Sequence, residues 1–284
     1  MVVALDGWVD GGEAATGSLR YLRRRLRPRK LAEIPVARFS IFQVPGQLTL
    51  RPYTRVEDGL LREYRPKRNI FYYWQNPHGN RDVILFQGTE PNMNWDDYVQ
   101  AILDVAAEFG VSCIYMLGGV LDKTPHTREP GVSCVCSSVQ VRNELRDTGI
   151  EPVDYEGPGG VRTLLVYQCQ QRSLDMAVLH ARVTYYPEFN MVIGHNPKAI
   201  RALVRKLNRL MRLGLDLADL DKEARDFEAR ISYMALQNHA FRDYVEALEK
   251  EYPESAPDDY QDFSAHEAIQ AAEELLRGYG DDGE

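Results

Sequence analysis

Short apolar runs alternate with amphipathic segments over the first two thirds of the chain. Residues 2–5 and 113–117 are apolar runs of strand length that end at polar or turn residues, and residues 176–183 are assigned to a further strand. Apolar residues recur at helical spacing in 94–109, and we assign 161–171 to a helix because it follows a glycine-rich turn. This alternation predicts an α/β fold, with a parallel sheet and helices on both faces.

The remaining predicted elements follow from the same periodicities and from turn residues. Residues 69–74 and 83–86 are separated by Asn-Pro-His-Gly-Asn and predict a hairpin. Pro45-Gly46 predicts a turn between two strands at 34–44 and 48–56. Further helices are expected at 13–26, 139–145 and 198–213, and a further strand at 132–136.

The last third of the chain contains a seven-residue repeat. From Leu220 to Leu248 the repeat positions are spaced alternately by four and three residues, and Asn238 is their one polar member. This pattern predicts a long coiled-coil-like helix that pairs with the basic helix at 198–213 as a helical hairpin. Asn238 either fixes register and oligomeric state or lies on a wet edge. The predicted oligomerisation residues are Phe227, Ile231, Met234, Asn238, Phe241 and Val245.

Charge is distributed unevenly along the 284 residues. The net charge is −8, and the stretch from 251 to 284 holds eleven acidic residues against one arginine. We therefore divide the chain into an α/β core at 1–190, a helical hairpin extension for self-association at 191–252, and an acidic, partly disordered tail at 253–284. The tail includes one expected short helix, 265–276.

Composition and charge limit the kinds of protein to which this chain can belong. The chain has 44% hydrophobic and 27% charged residues, as soluble globular proteins do. No run of eighteen apolar residues occurs, and the first apolar run is too short for a signal peptide, so we expect a cytoplasmic protein without a membrane partner. The body outside the tail is nearly neutral, and the basic cluster at 20–30 is more typical of a solvated helix face or subunit contact than of nucleic-acid binding.

Metal, cofactor and catalytic signatures are missing from the sequence. The four cysteines form no C-x-x-C pair, and no histidine lies at ligand spacing from them, so we predict no metal and no cofactor. Neither a G-x-S-x-G elbow nor an H-E-x-x-H motif occurs, and we assign no catalytic residue. Asp6, Glu90 and His126 could act together as acid–base groups if the fold placed their side chains close to one another.

Four polar loops, each at the expected end of a strand, carry the candidate site. They span residues 6–13, 88–92, 125–128 and 157–160, and we call them the first to fourth loops. Ligands of open α/β sheets bind outside the carboxyl ends of the strands, so the loops predict one shared pocket or partner-facing edge. The candidate ligand- or partner-binding residues are Asp6, Gly7, Trp8, Asp10, Gly11, Gly12, Glu90, Asn92, His126, Thr127, Arg128, Gly157, Gly159 and Gly160.

Each loop also has a purely structural interpretation. The first loop could hold an anion at a helix N-terminus, but its glycine spacing matches neither phosphate motif, and Asp10 or Glu13 could instead cap the helix. In the second loop, Glu90 and Asn92 either contact a ligand or end their elements. Arg128 in the third loop either binds a carboxylate or phosphate, or pairs with a neighbouring acidic residue, Asp122 or Glu129.

The loops, in this order, resemble the proteasome assembly chaperone family, the proteins similar to proteasome assembly chaperone 2. The matching segments are Gly-Trp-Val-Asp-Gly-Gly-Glu-Ala at 7–14, Gln-Gly-Thr-Glu-Pro at 87–91, Pro-His-Thr-Arg at 125–128 and Gly-Pro-Gly-Gly at 157–160. The resemblance covers residues 2–250. It implies a three-layer α/β/α core like that of phosphorylases and nucleosidases, followed by a helical extension used in self-association.

The resemblance also implies a non-enzymatic chaperone that acts through protein–protein contacts. We expect a homo-oligomer, such as a trimer, with proteasome-like subunits as further partners. Some relatives carry an ATP-grasp label, but this chain lacks the glycine-rich loop with paired lysines. Its last residues, Asp-Gly-Glu, differ from the hydrophobic–Tyr–any residue ending with which some assembly chaperones dock into the proteasome. The alternative is a sensor or enzyme that binds a phosphate- or carboxylate-bearing small molecule at the loops.

Overall fold

A computed structural model describes residues 1–42, 51–189, 191 and 193–252. Ten strands and seven helices lie in these residues. The strands are β1 (Val2–Asp6), β2 (Arg29–Ile34), β3 (Tyr53–Glu57), β4 (Leu60–Arg65), β5 (Asn69–Trp74), β6 (Val83–Thr89), β7 (Cys113–Asp122), β8 (Val132–Cys136), β9 (Glu151–Pro152) and β10 (Asp175–Thr184). The helices are α1 (Ala14–Leu26), α2 (Trp95–Glu108), α3 (Val139–Arg146), α4 (Val161–Gln171), α5 (Pro197–Met211), α6 (Ala218–Gln237) and α7 (His239–Glu251).

Eight of the strands form one sheet in the order β2-β5-β6-β1-β7-β10-β8-β9. The central four, β6-β1-β7-β10, are parallel, as predicted. Towards the edges the sheet is mixed, because β5 runs antiparallel to β2 and β6, and β8 runs antiparallel to β10. The predicted parallel sheet is therefore confirmed at its centre and the predicted hairpin is confirmed by β5 and β6, whereas the parallel prediction is wrong at β8. The carboxyl ends of the central strands lie at one edge, where the first three candidate loops begin, and the fourth loop, which follows β9, precedes α4.

Alternating side chains of the central strands supply two separate cores. Val2 and Ala4 of β1 pack with α1, α3 and α5 on one face, and Val3 and Leu5 pack with α2 and α4 on the other. This division follows from the two-residue period of a strand, and both faces must be apolar because helices cover both. The three-layer α/β/α arrangement predicted from the sequence is confirmed.

Residues 34–65 depart from the prediction. The strand predicted at 34–44 is wrong at its start, because Pro35 leads into a 3₁₀ turn at Val36–Arg38, and the strand that is present, β2, lies before it and was not predicted. The proposed turn at Pro45-Gly46 and the residues around it lie outside the described residues. β3 pairs with β4, which the sequence analysis missed, through a turn at Asp58-Gly59 in which both residues have positive φ.

Within the helical extension, α6 packs on α5 through opposite charges, as predicted. Arg205 of α5 lies 2.5 Å from Asp221 of α6. Most heptad positions from Phe227 onwards form a third core with Ala235 and Tyr186, namely Phe227, Ile231, Phe241, Val245 and Leu248. Most of the predicted oligomerisation residues are thus buried within their own chain, namely Phe227, Ile231, Phe241 and Val245, whereas Met234 is exposed.

The prediction of one long heptad helix is wrong at Asn238. This residue has extended backbone angles, and its side-chain oxygen accepts a hydrogen bond from the Phe241 backbone N–H at 3.2 Å. Asn238 therefore ends α6 and caps α7, a position that asparagine favours strongly. The heptad spacing extends across the break because residues of both helices, such as Ile231 and Val245, are buried in the same core.

Asn238→Ala is expected to lower the free energy of unfolding by about 1 kcal/mol, because the first turn of α7 loses its cap. Asn238→Ser should stay close to the native value, since serine supplies an equivalent acceptor. Urea denaturation of the native chain and of the Ala, Ser and Leu variants measures the differences. If Asn238→Leu proved more stable than the native chain, the cap would be the wrong explanation and a buried seam position the right one.

Candidate functional site

The first and second loops meet at the carboxyl ends of β1 and β6. The Glu90 backbone N–H donates to the Asp6 carbonyl at 2.9 Å, and the Glu90 side chain accepts from the Trp8 backbone N–H at 2.7 Å. A Cβ atom on Gly7 would lie 2.3 Å from the Glu90 carboxylate, so only glycine fits there. Glu90 thus fixes the backbone of the first loop, and the Trp8 side chain remains 60% exposed.

Arg162, which the sequence analysis did not single out, joins the fourth loop to this pair. Arg162 lies in the first turn of α4, two residues after Gly160, and its side chain is only 7% exposed. Its Nη1 lies 3.7 Å from Glu90 Oε1, and its Nη2 donates to the Val9 carbonyl at 3.3 Å. Nε and Nη1 have no hydrogen-bond acceptor among the described residues. The helix dipole disfavours a cation at a helix N-terminus. An arginine at the start of a predicted helix was therefore the feature of the sequence that could have identified Arg162 as a site residue.

Asp10 caps α1 from inside the first loop. Its carboxylate accepts hydrogen bonds from the Ala15 N–H at 2.8 Å, the Thr16 N–H at 3.1 Å and the Thr16 hydroxyl at 2.5 Å. Of the two interpretations of this loop, the capping one is therefore observed. Burial raises the pKa of Asp10 to about 6, although the hydrogen bonds from Thr16 and Ala15 oppose the shift.

The raised pKa of Asp10 predicts a pH-dependent contribution to stability. The folded protein retains a proton on Asp10 that the unfolded chain releases, so this contribution is present below pH 3.8 and is lost as the pH rises to about 6. Asp10→Asn stays neutral and keeps an acceptor for Ala15 and Thr16. Between pH 4 and 7, the variant's unfolding free energy should gain about 2 kcal/mol relative to the native chain. A difference that stays constant over this range, measured by urea denaturation, would contradict the assignment.

The other residues of the first, second and fourth loops have structural partners or remain exposed. Asp6 forms an ion pair with Lys67. Gly12 has φ of 58°, and its carbonyl accepts from the Asn196 N–H at 2.8 Å. Asn92 accepts from the Ile41 N–H at 3.0 Å and so holds the chain that follows β2. Gly11 packs against the Gly119 carbonyl, while Gly157 and Gly159 are exposed on the fourth loop.

The third loop contacts the helical extension. His126 is buried, with Nδ1 2.7 Å from the Tyr186 hydroxyl and Nε2 3.0 Å from the Ser232 hydroxyl of α6. Burial and the nearby Lys198 ammonium lower the pKa of His126 to about 4. Thr127 hydrogen-bonds Glu249 of α7. These contacts are with Tyr186, α6 and α7, whereas Asp6 pairs with Lys67 and Glu90 with Arg162, so the suggested acid–base cluster of Asp6, Glu90 and His126 is not assembled.

Arg128 also holds the end of the extension. Its Nε donates to the Tyr252 carbonyl at 2.8 Å. The two acidic residues suggested as partners of Arg128 lie near other cations. Asp122 lies 3.7 Å from Arg182, and Glu129 pairs with Arg201. The third loop therefore anchors α6 and α7 to the core, and the sequence analysis missed this because the partners are more than 100 residues away.

Two negative findings apply to the described part of the chain. It contains no cluster of three or more His, Cys, Asp or Glu side chains that could hold a metal ion. None of its helices has both the length and the apolarity that a membrane span requires. Cys134 and Cys136 share one face of β8, as expected, with their Sγ atoms 3.6 Å apart.

The assembled edge is thus a set of loops held by internal hydrogen bonds, with a large exposed aromatic side chain. The carboxylates of Asp6, Asp10 and Glu90 are each occupied by groups of the same chain. Tyr155 is 57% exposed, and its hydroxyl donates a hydrogen bond to the Pro158 carbonyl of the fourth loop. Exposed tryptophan and tyrosine on a rigid backbone are typical of protein interfaces.

Comparison with known proteins gives a consistent assignment. A proteasome-assembly chaperone homologue from Mycobacterium tuberculosis has a TM-score of 0.73 and 29% identity, over 86% of this chain and 98% of the other. A PAC2 family protein from Streptomyces avermitilis has a TM-score of 0.72 and 28% identity over the same shares. An archaeal proteasome activator from Pyrococcus furiosus shares the fold, with a TM-score of 0.59 and 21% identity over 82% of this chain and 91% of the other.

No curated protein sequence matches the chain. The sequence profile of the PAC2 family, however, matches residues 4–235, which include all four loops and most of α6. The resemblance seen in the loop residues is therefore confirmed: the chain belongs to the PAC2 family.

Proposed function

We propose that the protein is a non-enzymatic, cytoplasmic assembly chaperone that acts through contacts with proteasome-related subunits. The observation that carries this proposal is the PAC2 match over residues 4–235. The M. tuberculosis relative, described as a proteasome-assembly chaperone homologue, suggests the class of partner. The loop edge supports it further, because its carboxylates serve the fold and Trp8 is left exposed.

Trp8 is the residue on which we expect a partner to depend most. Tryptophan is enriched among interface residues whose truncation costs 2 kcal/mol or more, which corresponds to about thirtyfold in affinity. The test is affinity purification of the tagged native chain, Trp8→Ala and Tyr167→Ala from native extract, with proteasome subunits quantified by mass spectrometry. Tyr167 on α4 is 54% exposed and is a matched aromatic control.

The proposal predicts recovery of proteasome subunits with the native chain and Tyr167→Ala, and strong loss with Trp8→Ala. Equal recovery with all three proteins would remove the loop edge from the contact. Absence of any stoichiometric proteasome subunit from the native purification would overturn the proposed function itself.

A second candidate function, binding of a carboxylate- or phosphate-bearing small molecule at the loops, has one observation in its favour. The buried Arg162 has two N–H groups without an acceptor, beside the uncapped N-terminus of α4. Inorganic phosphate and succinate would then raise the melting temperature of the native chain but not of Arg162→Met. No shift with either anion would remove this candidate.

A further inference from the structure

A cavity of about 440 Å³ lies at the carboxyl end of α5. Its walls include Arg209 and Arg212 at that helix end, Leu217 just before α6, and His78 in the turn between β5 and β6. β6 begins just after this turn and ends at the second loop, so the cavity and the loop edge lie at opposite ends of the strand. The cavity is therefore separate from the candidate site.

The turn that follows α5 gives the cavity a wall of fixed shape. The Asn208 side chain donates to the Leu215 carbonyl and accepts from the Leu215 N–H, both at 3.0 Å. Gly214 has φ of 66°, and a Cβ atom there would lie 2.5 Å from the His78 ring, so this turn packs directly on the turn before β6. The backbone around the cavity is thus fixed without a ligand, as it usually is in binding sites.

Arginine side chains give this cavity a positive charge. Arg205 is neutralised by Asp221, 2.5 Å away. Arg209 and Arg212 are exposed, and neither forms an ion pair with an acidic side chain of the described residues. Two guanidinium groups beside one cavity suit an anion, because each offers a planar fork of donors to a carboxylate or phosphate.

The same two arginines are not used to complete their own helix end. The Asn76 amide donates to the Met211 carbonyl at 3.1 Å. Asp216 is the acidic residue nearest to Arg212 in sequence, and its carboxylate accepts from the Ala218 N–H at 3.0 Å. The helix dipole favours cations at this end of α5, but it occupies none of their N–H donors.

The acidic tail, residues 253–284, carries the opposite charge. It holds ten Asp or Glu residues against one arginine, a net charge of −9, and the whole chain carries −8. Residues 1–252 therefore sum to +1 by difference. The negative charge of the chain is concentrated in this one segment, and opposite charge favours its contact with the two arginines.

The tail is long enough to reach the cavity. It begins after Tyr252, whose carbonyl accepts from Arg128 of the third loop, and α5 begins at the same loop, where the Lys198 ammonium donates to the His126 carbonyl. From there the 15 residues of α5 rise about 22 Å to the cavity. A chain of 32 residues spans about 30 Å as a random coil and about 100 Å when fully extended.

We propose that the acidic tail binds the cavity at the end of α5 of its own chain, with tail carboxylates on Arg209 and Arg212. Covalent attachment keeps the tail at an effective concentration in the millimolar range, which selects it over free anions. Bound there, the tail neutralises the two arginines and keeps other polyanions away from them. The contact lies away from the loop edge and does not depend on whether proteasome subunits are partners of this protein.

Carbodiimide cross-linking of the full chain tests this contact, because the reagent joins a lysine amine to a carboxylate that touches it. Arginine does not react, so Arg209→Lys and Arg212→Lys keep the positive charge and each add a reactive amine at the cavity. Arg225→Lys is the matched control, since Arg225 is equally exposed but has Asp221 and Glu228 at helical spacing on α6. Mass spectrometry quantifies the cross-links from each position to tail carboxylates, and circular dichroism establishes that each variant is folded.

Cross-links to the tail should be about tenfold more frequent from positions 209 and 212 than from position 225, the ratio expected from two exposed ion pairs. They should disappear in about 1 M salt, where the Debye length is about 3 Å. Equal yields at the three positions, or yields that salt does not change, would overturn the proposal. In a mixture of isotope-labelled and unlabelled protein, cross-links between the two kinds of chain would overturn binding within one chain.

Discussion

Glu90→Ala is expected to lower the free energy of unfolding by about 3 kcal/mol, because it leaves the Arg162 guanidinium buried without its carboxylate. The Arg162 side chain is 7% exposed, and burial already lowers its pKa, whereas Glu90 raises it. The same substitution removes the acceptor of the Trp8 N–H. The 3.7 Å separation of Nη1 and Oε1 places the expected loss at the lower end of the range for broken buried pairs.

The companion variant Arg162→Met distinguishes this explanation from loss of packing. It leaves Glu90 partly solvated, at 17% exposure, and still bonded to Trp8, so we expect a smaller loss of about 1 to 2 kcal/mol. In the Arg162→Met background, Glu90→Ala should cost less than it does in the native chain, because no buried cation remains. Urea denaturation of the four proteins completes the cycle. Additive losses would show that the pair does not act as one unit.

The sheet centre and its helices were predictable because each obeys a single local period. β1, β7 and β10 are apolar on both faces and end at polar residues, and α2 carries an apolar stripe with a clear end at Gly110. Those strand ends also predicted that the first and second loops would meet, whereas the fourth loop reaches them through the first turn of α4. Local periodicity sufficed in these cases because every one of these elements is buried by its neighbours.

The errors occurred where burial and local pattern differ. β2 carries exposed cations and β4 exposed leucines, so neither has the pattern of a buried strand. The heptad spacing could not reveal the break at Asn238, because residues of both α6 and α7 are buried in one core. His126 and Arg128 sit on a strand-end loop as predicted, but their partners on α6 and α7 are fixed only by the tertiary fold.

Gly119→Ala tests how tightly the first loop is held against β7. The sequence predicted that β7 would end at Gly118-Gly119, but the strand continues to Asp122, and the first loop lies against it. The Gly119 N–H donates to the Val9 carbonyl at 3.0 Å. A Cβ atom on Gly119 would lie 2.4 Å from the Gly11 carbonyl oxygen and 2.7 Å from the Ala14 Cβ. The obstacle is mainly backbone, so no side-chain rotation relieves it.

We expect Gly119→Ala to lower the free energy of unfolding by about 3 kcal/mol, at the upper end of the usual cost of overpacking, because the first loop and the start of α1 must both move. Gly194→Ala is the matched control, since a Cβ there meets nothing within 4 Å and its φ is not positive. That variant should lie within about 1 kcal/mol of the native chain. Urea denaturation compares the three proteins. Similar stabilities for the two variants would mean that the first loop can shift away from β7 at little cost, and Trp8 would then not be presented by a rigid backbone.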